Sequence, residues 1–241
     1  MRSPFELFTD AWGTVMGKPR VYIIISAVYV GITASIILLT GVDPLTLEND
    51  EIITTPELIY FILSGCISIL AYVTLTKAIV SNSDDELTPL FTSSLRMFFP
   101  YMWVSILVGF AILLGFLLLI IPGIYLMVTF LFATYILFTE NVRGQEALAR
   151  SYRYVKGRWF SVFWRLLFLF LPSIAFGLIV GGFFALASIA LPKLSTLLYS
   201  ISAFLNMMFY SICFVYIYIM YTDIRNSYVV QETPDIQQAN Q

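Results

Sequence analysis

Histidine is absent from all 241 residues of this chain. That removes imidazole acid–base chemistry, Ser-His and Cys-His nucleophilic pairs, and His-ligated zinc. Cysteine is scarce: Cys66 and Cys213 both fall inside apolar stretches and read as small packing residues, not as a disulfide. Charged residues make up 12% of the chain, and none lies near the middle of an apolar stretch. Lys77, Glu140, Arg165 and Asp223 sit within a turn or two of an end, where long side chains reach headgroups. Ion-coupled transporters carry buried ionisable groups, so this pattern argues against proton or cation coupling. No glycine-rich phosphate loop is present. The carboxylate runs Asp50-Glu51 and Asp84-Asp85-Glu86 fall between apolar stretches and read as solvated charge, not metal ligands. The sequence predicts no catalytic centre, no metal site and no cofactor.

What the chain has in abundance is hydrophobicity, 59% of its residues. Six apolar stretches lie near 20–41, 57–80, 101–121, 123–139, 161–191 and 196–222. A run of about 18 apolar residues crosses a hydrocarbon core of about 30 Å as a helix. The expected fold is an all-α polytopic membrane protein of six spans, one integral domain over 1–228 with a polar tail at 229–241. The first apolar run lacks an Ala-x-Ala cleavage pattern, so it reads as a retained span. Threading the chain through these spans puts twelve of its 13 Lys and Arg on one side, with Lys193 alone on the other. Cationic loops stay cytoplasmic, which places both termini in the cytoplasm. The first external loop holds Asp43, Glu48, Asp50, Glu51 and Glu57 with no Lys or Arg, and accounts for the acidic pI. That balance gives no reason to expect a nucleic-acid partner.

Three stretches resemble one another. ELFTDAWGTVMGK from Glu6 and EALARSYRYVKGR from Glu146 align at an offset of 140 residues, with Glu6 on Glu146, Val15 on Val155, Gly17 on Gly157 and Lys18 on Arg158. PLFTSSLRMFFPY from Pro89 matches more weakly. Each precedes two spans, so the chain parses into three units, 3–81, 86–141 and 143–225, of one interfacial helix plus one hairpin. Parallel repeats of this kind are related by an axis along the membrane normal. The interfacial helices are amphipathic. Phe5, Phe8, Trp12 and Val15 make one apolar stripe, and Leu148, Tyr152, Val155 and Trp159 another. Such helices lie in the interface plane with aromatics in the acyl boundary. Around the third run Arg143, Arg150, Arg153, Lys156 and Arg158, and two readings of them stand: attraction to anionic headgroups, or enforcement of topology alone.

Within the spans, Gly177 and Gly181 form a GxxxG, and Ser64 and Ser68 a similar small face, suited to packing within the chain or to a dimer. Asn206, near a span centre, calls for an interhelical hydrogen bond or a ligand contact. Pro172 should kink the fifth span. Pro122-Gly123 reads as the external turn between spans three and four. Glu140 ends span four at a helix C-terminus, where its charge opposes the dipole and calls for a cation, with Arg143, Arg150 and Lys156 the candidates.

LIIPGIYL from Leu119, then Glu140-Asn141, Ala147-Leu148, Ser151, Lys156-Gly157 and Trp159, resembles a bacterial six-helix membrane domain. That domain is found fused to glycerophosphodiester phosphodiesterases and in stand-alone, largely uncharacterised relatives. The segment TFLFATYILFT lacks the basic residue and proline that relatives often carry there, and the phosphodiesterase domain is absent. The resemblance implies a bacterial plasma-membrane protein and carries no enzyme activity over. The expected function is a non-enzymatic membrane module organising lipid or protein partners at the cytoplasmic leaflet, with anionic lipid headgroups, a protein partner or a homo-oligomer as partners. The alternative is a transporter or lipid-translocating channel.

Overall fold

The computed structural model describes residues 2–42, 54–81 and 87–239. Residues 43–53 of the acidic loop expected outside and the Asp84-Asp85-Glu86 run lie outside the described residues, as do the side chains beyond Tyr228. Among the described residues the chain is all-helical, with six candidate membrane spans: Pro19–Thr40, Thr55–Ser81, Thr88–Leu118, Ile120–Thr139, Trp159–Ala190 and Pro192–Tyr228. This is a polytopic membrane protein. Arg2, Asp223, Arg225 and the segment around 140–158 share one face, here the terminal face, and the reversals at Leu118–Leu119 and Leu191–Ser195 lie on the distal face.

α1 (Pro4–Gly17) starts with a capping box: Glu6 N–H donates to the Ser3 hydroxyl, and Ser3 N–H donates to the Glu6 carboxylate. Lys18 leaves the helical region (φ −134°, ψ 52°) because Pro19 follows it, and α2 (Pro19–Thr40) begins there. α7 (Gln145–Val155) is separated from α8 (Trp159–Ala190) by a different device, Gly157 in the left-handed region at φ 80°. The middle stretch has neither a glycine nor a residue driven off the helix at its joint. It runs without interruption into its span as α4 (Leu87–Leu118), so no separate second interfacial helix exists.

The bundle-facing side of these helices is a narrow stripe of small and aliphatic residues. Leu7, Ala11 and Val15 are buried in α1, and Ala147, Ser151 and Val155 in α7, the same positions at the offset of 140. Leu90 and Ser94, equivalent to Leu7 and Ala11, are buried in α4. The match continues into the spans, where Tyr22, Ile25, Ser26 and Tyr29 are buried in α2 and Val162, Arg165, Leu166 and Leu169 in α8. Phe5, Trp12 and Tyr152 point outward, available to the acyl boundary.

The reversal between spans three and four falls at Leu119, whose backbone is extended (φ −168°, ψ 160°), not at Pro122-Gly123. Pro122 stands in the first turn of α5 (Ile120–Thr129), where its missing N–H would have had no helical partner anyway. Gly123 serves close packing: a Cβ on Gly115 would lie 2.9 Å from the Gly123 Cα. The fourth span is itself broken. α5 ends at Thr129, and α6 (Ala133–Thr139) resumes after a turn at 130–132. α3 (Thr55–Ser81) flanks α2 and α4. α8 stays one continuous helix through Pro172.

α9 (Ser195–Ala239) carries the sixth span and continues as helix through the polar tail, packing against α1, α2, α3, α7 and α8. Its Tyr216, Met220, Tyr221 and Ile224 are buried with Phe132, Ile136 and Leu137 in the main core. Burying side chains of this size stabilises a water-soluble fold by about 1.5–3 kcal/mol each. Within a bilayer that drive is missing, and close packing and hydrogen bonds take its place.

Candidate functional site

The end of α6 is shaped by its sequence. Asn141 adopts the left-handed region (φ 53°), which asparagine tolerates, and Gly144 (φ 60°) opens α7. This tight connection turns α7 back under α6 and leaves the Glu140 side chain 7% exposed. Its Oε2 accepts from Arg150 Nη1 at 2.7 Å. Its Oε1 accepts from the hydroxyls of Tyr154 at 2.8 Å and Tyr221 at 2.9 Å. Arg225 Nε lies 3.6 Å away. Arg150 in turn donates through Nη2 to Glu146 at 2.7 Å. One carboxylate therefore ties together α6, α7 and α9.

Burial works to raise the Glu140 carboxyl, but the hydrogen bonds from Arg150, Tyr154 and Tyr221 outweigh it and hold the group below its ordinary value. Burial, and then the hydrogen bond to Glu140, push Tyr154 up to about 12. The network is a charge-assisted clamp, not a proton relay: its acid is held ionised and its phenol protonated.

Of the cations expected to pair with Glu140, the structure selects Arg150. Arg143 and Lys156 are exposed and, among the described residues, make no ion pair; Arg153 is likewise exposed. Arg158 donates to the Ile224 carbonyl at 3.3 Å and to the Ser227 hydroxyl at 2.9 Å. Pro122 and Gly123 lie at the distal end of α5, remote from this cluster in the fold. Asn206 bonds within its own helix, Nδ2 to the Ser202 carbonyl at 2.9 Å, and so is not the interhelical link expected of it. Gly181 approaches no neighbouring backbone, so the GxxxG is not a site of close helix contact within the chain; Ser68 is exposed. Both cysteines are free, Cys66 exposed and Cys213 buried.

Three features escape sequence reasoning. Arg165, expected to reach headgroups, is buried and donates to the Arg2 carbonyl at 2.9 and 3.1 Å and to Ser161. Arg2 pairs with Asp10 at 2.6 Å and Asp223 at 3.2 Å, which fastens the start of the chain to α9. The third feature is the break in span four. Ala133 N–H bonds the Phe130 carbonyl at 3.1 Å and so deserts the Thr129 carbonyl, which accepts from the buried Ser151 hydroxyl at 2.7 Å. Trp159 Nε1 donates to the Tyr125 carbonyl at 3.2 Å. Of the Glu140 partners, the sequence points to Arg150 through its charge and spacing and does not point to Tyr154 or Tyr221; nothing in it flags the Ser151 clasp.

Among the described residues, no group of three Cys, Asp or Glu side chains gathers to hold a metal ion. Compared with family models, with characterised proteins and with solved structures, the chain matches none.

Proposed function

We propose that this chain is a non-enzymatic integral membrane module of the plasma membrane, with its terminal face in the cytoplasm, that organises anionic lipid or a protein partner at the inner leaflet. The observation that carries this reading is the seating of α7. Ala147, Ser151 and Val155 are buried, and Glu140 and Arg150 lock the helix to the bundle. Arg143, Arg153 and Lys156 then project from a rigid support. A cation near an anionic leaflet contributes about 1 kcal/mol, and fixing the backbone in advance leaves only side-chain entropy to lose on contact.

The shared buried positions at the offset of 140 support the reading of units 3–81 and 143–225 as copies, of which the third has become the basic one. A transporter is the alternative, and the broken fourth span is the observation in its favour, since interrupted helices line many substrate sites. Here Ser151 and Trp159 already occupy two carbonyls of that segment, which leans toward the scaffold reading.

The test is reconstitution of the full chain in nanodiscs of mixed phosphatidylglycerol and phosphatidylcholine. Extraction with the adjacent lipid annulus should recover excess phosphatidylglycerol. Changing Arg143, Arg153 and Lys156 together to Gln should abolish the excess. An unchanged lipid ratio would sink the proposal for lipid, and solute flux in sealed vesicles would favour the transporter.

A further inference from the structure

Trp159, Phe163, Leu166 and Phe170 follow one another at spacings of four, three and four, so they line a single face of α8. That face looks toward α5: Trp159 stacks on Tyr125 at 5.7 Å, and Phe163 stacks on Trp159 at 5.0 Å. At its terminal-face end the stripe meets an open pocket of about 630 Å3, where Trp159 stands with Arg158, Ser161 and Ser227. Farther along, at Leu166 and Phe170, it meets a second cavity of about 220 Å3, closed by Met127 and Leu131 on one side and Cys213 and Ile217 on the other. Ten residues of helix separate Phe160 from Phe170, about 15 Å along the axis.

The two cavities differ in chemistry. The deeper one is lined by carbon and sulfur apart from the Ser173 and Tyr210 hydroxyls, and Ser173 already donates to the Leu169 carbonyl at 2.6 Å. A buried water needs two to four polar partners, and this cavity does not offer them. An aliphatic cavity of roughly 150 Å3 accepts a benzene ring, so this volume admits a hydrocarbon chain segment. Phe170 and Tyr210 are exposed at its rim, inside the fifth and sixth spans, where the surrounding medium is acyl chain. The shallower pocket carries a guanidinium fixed by the Ile224 carbonyl and the Ser227 hydroxyl, level with the interfacial helix α7.

We infer that the α5–α8–α9 seam holds one anionic phospholipid, an acyl chain in the deeper cavity and the phosphate beside Arg158. The inference rests on the proposed orientation of the terminal face toward an anionic leaflet, and otherwise on the seam alone. Trp159 and Phe163 form the wall along which the glycerol and upper methylenes lie.

Native mass spectrometry of the full chain, released from mild detergent, tests this. The protein should keep a single phospholipid, enriched in phosphatidylglycerol over phosphatidylethanolamine. Cys213→Phe fills the deeper cavity and should lower lipid retention about tenfold, while Arg158→Gln should keep a lipid but lose the headgroup preference. A second measurement needs no filled cavity. In Cys66→Ser protein stripped of lipid, methyl methanethiolsulfonate should modify Cys213, and added dimyristoylphosphatidylglycerol should slow that reaction severalfold. Undiminished retention by folded Cys213→Phe protein, or no protection by the lipid, would overturn the inference. The Arg143/Arg153/Lys156 variant reads the loosely held annulus instead, so the seam and the basic face can fail separately.

Discussion

Ser151 donates its hydroxyl to the Thr129 carbonyl at 2.7 Å, at the point where the fourth span loses its helical ladder. Both residues are buried. Ser151→Ala leaves that carbonyl without a donor in a site water does not reach, at a cost of about 1–3 kcal/mol. Thermal unfolding in detergent should register the loss. Ala11, the equivalent residue of α1, has no hydroxyl to lose, so the cost belongs to the α7 copy alone.

Glu140→Gln removes the charge that Arg150 and two tyrosines address, and should cost about 1–3 kcal/mol because Arg150 remains one-third exposed. The folded carboxyl lies below its ordinary value of 4.5. Its contribution is therefore complete above that value and is lost as pH falls through the lower folded one. Acid titration of stability should show this loss in the parent and not in Glu140→Gln. Exchanging the charges, Glu140→Arg with Arg150→Glu, should not rescue, since the Tyr154 and Tyr221 hydroxyls would face a cation that accepts no hydrogen bond. Full rescue would show that the ion pair alone matters.

Two glycines should respond in opposite senses to alanine. At Gly115 a Cβ meets backbone, 2.9 Å from the Gly123 Cα, so Gly115→Ala should force the α4–α5 hairpin apart and cost about 1–3 kcal/mol. At Gly181 nothing lies within 4 Å, and the helix gains about 0.5–1 kcal/mol from a residue with less backbone freedom. Melting temperatures of the two variants, measured side by side, decide the matter.

Orientation can be read with single cysteines placed in a Cys66→Ser, Cys213→Ser background. A membrane-impermeant maleimide added to intact cells should label Lys193→Cys at once and Lys156→Cys only after permeabilisation. The reverse pattern would invert the proposed topology.

The spans were legible because hydropathy is a sum over side chains and needs no knowledge of contacts. Glu140 was legible for a related reason: a carboxylate at a helix C-terminus among five cations has few ways to be satisfied. The break at 130–132 was not, because TFLFAT contains no proline or glycine and the interruption is sustained by Ser151, more than twenty residues away. Pro122-Gly123 misled for a physical reason as well, since proline is as comfortable in the first turn of a helix as in the turn before it. Arg165 looked like an ordinary interfacial cation because its partner, the Arg2 carbonyl, is a backbone atom at the other end of the chain.

α9 carries the last of the six described spans to leave the ribosome, and it is the one against which α1, α2, α3, α7 and α8 all pack. Insertion and assembly are thereby separated in time. Five spans can enter the bilayer on their own hydrophobicity, yet the Tyr154 and Glu140 side chains have no Tyr221, the Arg2 guanidinium no Asp223, and Tyr72 no Phe214 until the final helix arrives. A nascent chain halted before Ser195 should be membrane-integrated but unassembled, and a natural substrate for membrane proteases. Supplying α9 as a separate polypeptide in the same cell should rescue it, as a keystone set last completes an arch.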